Sequence, residues 1–395
     1  RAFHDSDSTL KLIPQKNQLS WKESLLNDAS RIAYLARSIV PIASGRAVTL
    51  NPTYIVRATI GTPPQTLLLA LDTSNDVAWV PTTGCSGCSA ASDAVAYNPS
   101  KSTTFKPVNC GSPQCNQVPN PSCGGASCGF NLTYGVSTVA AGLSQDNITL
   151  ATDSISGYTF GVIRNATGSS LPSQGLLGLG RGPLSLLAQT SSLYQSTFSY
   201  CLPNYKSTNF NGSLRLGPSS QPNRAMNWTQ LLRSPRRLSF YYVNLVGIKV
   251  GRRGVSIPPA ALAFDPNTGA GTIFDSGVTF TTLVKPAYTA VRDEFRRQMG
   301  NATVSSLGGF DTCYTVPVAI PTMTLVFSGL NVSLRQDNFL IHSTAGTISC
   351  LAMAAAPEGS IDAALNVIGT FQQQNHRIVI DVPNSKVAVA REQCS

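Results

Sequence analysis

One pattern occurs twice in this chain and restricts its fold more than any other feature. An apolar run ends in an aspartate, a hydroxyl residue and a small residue, first as Leu69-Ala70-Leu71-Asp72-Thr73-Ser74 and again as Thr272-Ile273-Phe274-Asp275-Ser276-Gly277. Each copy is followed at similar distance by two apolar residues and a glycine. Leu176-Leu177-Gly178 ends 106 positions after Asp72, and Val367-Ile368-Gly369 ends 94 positions after Asp275. A duplication on this scale implies two similar lobes, each presenting one aspartate to the cleft between them.

The intervening sequence is written in short strands. From Val48 onward, runs such as Tyr54 to Ile60, Thr66 to Leu71, Phe240 to Val250 and Arg377 to Val382 are separated by turn formers. With 32 Gly, 25 Pro and only 12% charged residues, and with no strand–helix alternation, the chain reads as all-β. The repeat divides it into a lobe at 48–223 and a lobe at 224–395. Residues 1–47 differ. Ser20 and Glu23 form a capping-box signature, apolar residues recur from Trp21 to Ile39 at helical spacing, and Pro41 ends the run. A loop at Pro41-Ile42-Ala43-Ser44-Gly45-Arg46 follows, so 1–47 reads as a partly helical pro-segment that a protease can remove. A second amphipathic helix is expected between Tyr288 and Met299.

Two aspartates facing each other can hydrolyse an amide without metal or cofactor. One carboxylate takes a proton from water while the other carboxyl gives one to the leaving group. Small neighbours such as Ser74 and Gly277 allow the close approach. The three histidines, His4, His342 and His376, form no triad or metal motif. Gly175-Leu176-Leu177-Gly178-Leu179-Gly180-Arg181-Gly182 imitates a nucleotide loop but lacks the strand–helix frame that such a loop needs. Cys85-Ser86-Gly87-Cys88 lacks both the second cysteine pair of a zinc site and a thioredoxin-like setting, and so reads as a structural disulfide.

The two triplets with their apolar-apolar-glycine partners resemble the active-site signatures of pepsin-like aspartic proteases. The family is itself the standard illustration of two carboxyls sharing a proton, so that chemistry comes with the resemblance. Leu132-Thr133-Tyr134-Gly135 resembles the family's flap, with Tyr134 over the substrate, and Trp79 stands where a tryptophan hydrogen-bonds that tyrosine. The cysteine-rich insert, Thr53-Tyr54-Ile55-Val56 and Gly61-Thr62-Pro63 narrow the likeness to the plant nepenthesin-like group, nearest to its apoplastic and chloroplast-nucleoid DNA-binding members. The resemblance covers roughly residues 50–395. It implies a bilobal fold with an active-site cleft between pseudo-symmetric β lobes. It also implies catalysis by Asp72 and Asp275, substrate contacts from Tyr134, Gly277 and Ser74, and support of the flap by Trp79. The disulfides it implies are Cys85–Cys88, Cys110–Cys128, Cys115–Cys123, Cys201–Cys394 and Cys313–Cys350. Pro-segment lysines can occupy the cleft of such zymogens, which makes Lys11, Lys16 and Lys22 candidates. Asn75 and Val278 replace the family's usual hydroxyl residues, and the loss of donors to the carboxylates points to a higher pH optimum than is typical.

Ten cysteines and seven sequons, at Asn131, Asn147, Asn165, Asn211, Asn227, Asn301 and Asn331, point to a secreted, N-glycosylated protein from which a leader has been removed. The apoplast is the expected location, with vacuole or plastid as alternatives. No apolar run is long enough for a membrane span. The formal charge of +10 gathers in Arg233 to Arg237, Arg252-Arg253 and Arg292 to Arg297. It reads as solvated surface or as a site for an acidic polyanion, whether cell-wall polysaccharide or DNA. The expected partner is a protein or peptide substrate, cut by a monomer. The alternative is an inactive binding protein of the same fold, acting as an enzyme inhibitor or polyanion binder.

Overall fold

A computed structural model describes residues 2–4, 10–12, 39–44, 53–88, 96–168, 171–172, 174–207, 209–218, 226–357 and 361–394. Mostly β, it has the two-lobed pepsin-like architecture. One antiparallel sheet runs through both lobes in the order Trp228–Leu232, Lys386–Arg391, His376–Asp381, Thr197–Cys201, Gly212–Leu216, Ile39–Ser44 and Tyr54–Ile60. Strand Ile39–Ser44 therefore lies inside the sheet, with Val40 and Ile42 in the core. It falls within the expected pro-segment, yet it completes the ladder between two strands of the body. The expected helix from Trp21 to Ile39 lies outside the described residues apart from Ile39 itself, which begins this strand. Lys16 and Lys22 lie outside them too, and for Lys11 only its place on strand Leu10–Leu12 is described.

Within each lobe the repeated motif builds the same device. Strand Gln65–Asp72 follows Tyr54–Ile60 through the Gly61–Pro64 turn, and Leu176–Gly178 runs parallel to it with Gly178 beside Asp72. In the other lobe, strand Gly271–Phe274 takes Leu365–Ile368 as its parallel partner, with Phe274 beside Ile368. Both aspartates thus stand at the ends of strands buried on both faces, which accounts for the continuous apolar runs before them. Helix Lys285–Gln298 has Pro286 in its first turn and buries Ala287, Tyr288, Val291 and Phe295 on one face.

The disulfides Cys85–Cys88, Cys201–Cys394 and Cys313–Cys350 are present, but the two between residues 110 and 128 differ from expectation. Cys110 pairs with Cys123 and Cys115 with Cys128, in place of Cys110–Cys128 and Cys115–Cys123. Burial sorts them. Cys115 and Cys128 are both enclosed in the apolar cluster beneath the flap, whereas Cys123 is exposed and Cys110 is half-buried. The family resemblance implied a nested pairing, but here the cysteines that are buried together are the ones joined. Proteolysis of the unreduced chain should release peptides joining residues 110 with 123 and 115 with 128. A peptide joining 110 with 128 would refute this connectivity.

Candidate active site

The two strand ends are locked to each other by matched hydrogen bonds. The Thr73 amide donates to Ser276 Oγ (3.1 Å) and the Ser276 amide donates to Thr73 Oγ1 (3.0 Å), while Ser276 Oγ donates to the Leu71 carbonyl (2.9 Å). All three lie in the interior, where such bonds hold geometry well because no water competes. A Cβ placed on Gly277 would stand 2.5 Å from Asp72 Oδ2 and 3.2 Å from Asp275 Oδ1. Both carboxylates therefore flank that glycine, and its missing side chain is what lets them approach.

Donors position each carboxylate. Asp72 Oδ1 accepts from the Ser74 amide (2.7 Å), Ser74 Oγ (2.8 Å) and the Asn75 amide (3.1 Å). Asp72 Oδ2 accepts from Asn75 Nδ2 (2.8 Å) and the Tyr134 hydroxyl (3.1 Å). The Gly277 amide donates to Asp275 Oδ1 (2.7 Å). Asn75 therefore adds donors to Asp72, contrary to the expectation that it removes one. The amide reaches back where a hydroxyl would, which takes away half the basis for a raised pH optimum. Ser74 is turned inward as a carboxylate holder. Behind Asp275, Gln373 Nε2 donates to the Asp275 carbonyl (3.0 Å) and Tyr200 donates to Gln373 Oε1 (2.6 Å), a support that the sequence did not flag.

The flap is the hairpin of strands Ser127–Tyr134 and Ser137–Leu150, turned by Gly135 at φ 57° and Val136. It rests on the dyad through Tyr134. Burial, then the Asp72 and Asp275 charges, push the Tyr134 phenol well above its ordinary value, so it stays a donor. Trp79 touches Tyr134 edge-on, with ring centroids 6.1 Å apart, and its Nε1 has no hydrogen-bond partner among the described residues. The expected hydrogen bond from Trp79 Nε1 to the Tyr134 oxygen is not formed, and the two rings meet only edge to face while the Tyr134 hydroxyl donates to Asp72.

Asp76 is a further residue missed in the sequence. Its Oδ1 accepts from the Gly182 amide (2.8 Å), and its Oδ2 accepts from Ser239 Oγ of the other lobe (2.6 Å). Gly178, Gly180 and Gly182 pack so closely on Asn75 and Asp76 that a Cβ on any of them would collide. That is the structural reason for the glycine-rich run, whose spacing was the available clue. Burial raises the Asp76 carboxyl above its ordinary 3.8, with a further push from the Asp72 charge, against the Ser239 and Gly182 donors. A raised carboxyl stabilises the fold fully below its unfolded value, and that contribution is lost as pH rises through the folded value. Asp76→Asn keeps the contacts without ionising. Its melting temperature relative to wild type should therefore climb between about pH 4 and about pH 7. A pH-independent difference would contradict the argument.

Elsewhere, His376 is buried against the Gln374 carbonyl, which burial keeps neutral, and His342 bonds Ser349. Among the described residues, no three His, Cys, Asp or Glu side chains cluster as metal ligands, and no helix is long and apolar enough to cross a membrane. Six of the seven sequon asparagines are exposed, whereas Asn147 is half-buried and bonded to Thr62. The arginines from 292 to 297 are engaged with Asp293, Glu294 and Asp311, which removes that cluster from the free basic surface.

Known proteins resemble this chain in sequence and fold. The domain described as "Xylanase inhibitor N-terminal" matches residues 54–218, and "Xylanase inhibitor C-terminal" matches 240–390. The chain is 47% identical over 386 residues to Aspartyl protease AED3 of Arabidopsis thaliana, covering 93% of this chain and 85% of that protein. It is 42% identical to Aspartyl protease 25 of Oryza sativa subsp. japonica, covering 94% and 88%. Identity to Aspartic proteinase nepenthesin-1 of Nepenthes gracilis is 35%, over 86% and 78%. Among solved structures, that of edgp matches with a TM-score of 0.71 at 18% identity over 90% of this chain and 95% of that one, which speaks for the fold alone. By sequence and fold together, the chain belongs to the pepsin-like aspartic proteases, beside the plant aspartyl proteases and nepenthesins.

Proposed function

We propose that this protein is an aspartic endopeptidase in which Asp72 and Asp275 hydrolyse peptide bonds through a shared water. The observation that carries the proposal is the pair of carboxylates on either side of Gly277, fixed by the reciprocal Thr73–Ser276 bonds. With Tyr134 lifted from Asp72, a water between the carboxylates can lose a proton to one while the other protonates the departing amine. The flap then closes over an extended peptide. Five disulfides and six exposed sequons support a secreted, glycosylated enzyme of the plant apoplast. An inhibitory role for the expected pro-segment, residues 1–47, whose strand Ile39–Ser44 lies in the sheet, and a monomeric state belong to the same reading.

A second reading is a binding protein without catalysis, favoured by the description "xylanase inhibitor" on the matching domains. The presence of both aspartates with their donors favours the enzyme. Hydrolysis of a denatured protein, followed from about pH 3 to about pH 7, decides between them. Cleavage by wild type that is lost in Asp275→Asn supports the peptidase. No cleavage by wild type, with its first residues removed, supports the binder.

A further inference from the structure

Away from the catalytic cleft, an open pocket of about 120 Å³ lies where the lobes join. Two arginines line it, Arg181 from the first lobe and Arg233 from the second. Arg181 is fixed across the junction, with Nη1 donating to the carbonyls of Leu232 (2.8 Å) and Phe240 (3.5 Å) and its guanidinium beside the Tyr241 ring. Neither arginine forms an ion pair with a carboxylate among the described residues, unlike Arg292, Arg297 and Arg377. The nearby Asp76 is occupied by Gly182 and Ser239. Burial, with the Arg233 charge as a further contribution, lowers the Arg181 guanidinium from its ordinary value. With Arg233 exposed and Arg181 half-buried, the two guanidiniums give one cavity an excess of positive charge that an anion would complement. Ser185 also lines the pocket and is fully buried. Its Oγ accepts from the Ala188 amide and caps the short helix there, so it shapes the pocket wall from within.

We infer that this pocket binds an oxyanion between Arg181 and Arg233, either a free sulfate or phosphate or the carboxylate of an acidic polysaccharide. The planar guanidinium fork suits such groups, and a ligand held from both sides would pin one lobe to the other. The site lies outside the catalytic machinery, so the inference stands whether or not the dyad is active. A phosphate or sulfate fits by size, while a uronate would have to enter through the open mouth beside the exposed Arg233.

The test is calorimetric titration of the full chain with sodium sulfate, at an ionic strength held constant with sodium chloride. Wild type should show one saturable site. Arg233→Gln removes a charged donor without touching the bonds of Arg181 and should weaken binding about tenfold or more. Arg252→Gln alters an exposed arginine outside the pocket and should leave binding unchanged. Melting temperatures in chloride would establish that both variants are folded. Absence of saturable sulfate binding in wild type, or equal weakening in the two variants, overturns the inference. Oligogalacturonate that displaces sulfate from wild type would identify an acidic glycan as the source of the anion. Failure to displace it would identify the free ion.

Discussion

Asp275→Asn should lose hydrolysis of denatured protein by roughly 10²–10⁴-fold while keeping a melting temperature near that of wild type. Asparagine has the volume of aspartate, and its oxygen can still accept from the Gly277 amide at the place where Asp275 Oδ1 does now. The Thr73–Ser276 bonds involve neither carboxylate and should persist. What disappears is the ability to carry a proton at residue 275, which leaves Asp72 without a partner for the exchange. A variant as active as wild type would show that the dyad is not the catalyst. Because the two residues act as one unit, adding an asparagine at Asp72 as well should cost little more than either change alone.

The second large effect is steric. Gly277→Ala places a methyl 2.5 Å from Asp72 Oδ2, a separation that real contacts do not tolerate. The obstacle is a carboxylate held by Asn75 and Tyr134, so it cannot swing away without losing those bonds. The lobes must then separate or Asp72 must turn. A displacement of about 1 Å at reacting groups can cost about 10²-fold in rate, and that is the expected loss in kcat. Overpacking of this kind also destabilises by about 1–3 kcal/mol, which thermal melting would register. Wild-type kinetics in Gly277→Ala would mean that close approach of the carboxylates is not required. By contrast Ser74, at the matching place in the first triplet, carries a side chain that bends back to its own aspartate.

The lobes and the dyad were legible because the same local pattern appears twice and its strands are short, apolar and bounded by turns. Tyr134 was found only through the family resemblance of Leu132-Thr133-Tyr134-Gly135, since by itself it reads as an ordinary strand tyrosine. Other features depend on which residues share an environment, and linear spacing does not record that. The cysteines from 110 to 128 pair by shared burial and not in the nested order that the resemblance implied. Asp76 acquires its role from Ser239, which stands 163 positions away on the other lobe. For Asn75, residue type suggested a lost donor, whereas its reach along the backbone makes it a gained one. Val40 and Ile42, assigned by proximity to an arm, turned out to be sheet core because strands on both sides require them.

Strand Ile39–Ser44 pairs on one side with Gly212–Leu216 and on the other with Tyr54–Ile60. Were it withdrawn, two bare edges would face each other across the gap, each with unpaired amides and carbonyls ready to template a foreign strand. The slot can therefore be refilled but not left empty. Any shortening of the chain that reaches residue 44 must exchange one strand for another, or the molecule gains a pair of adhesive seams where its lobes now share a sheet.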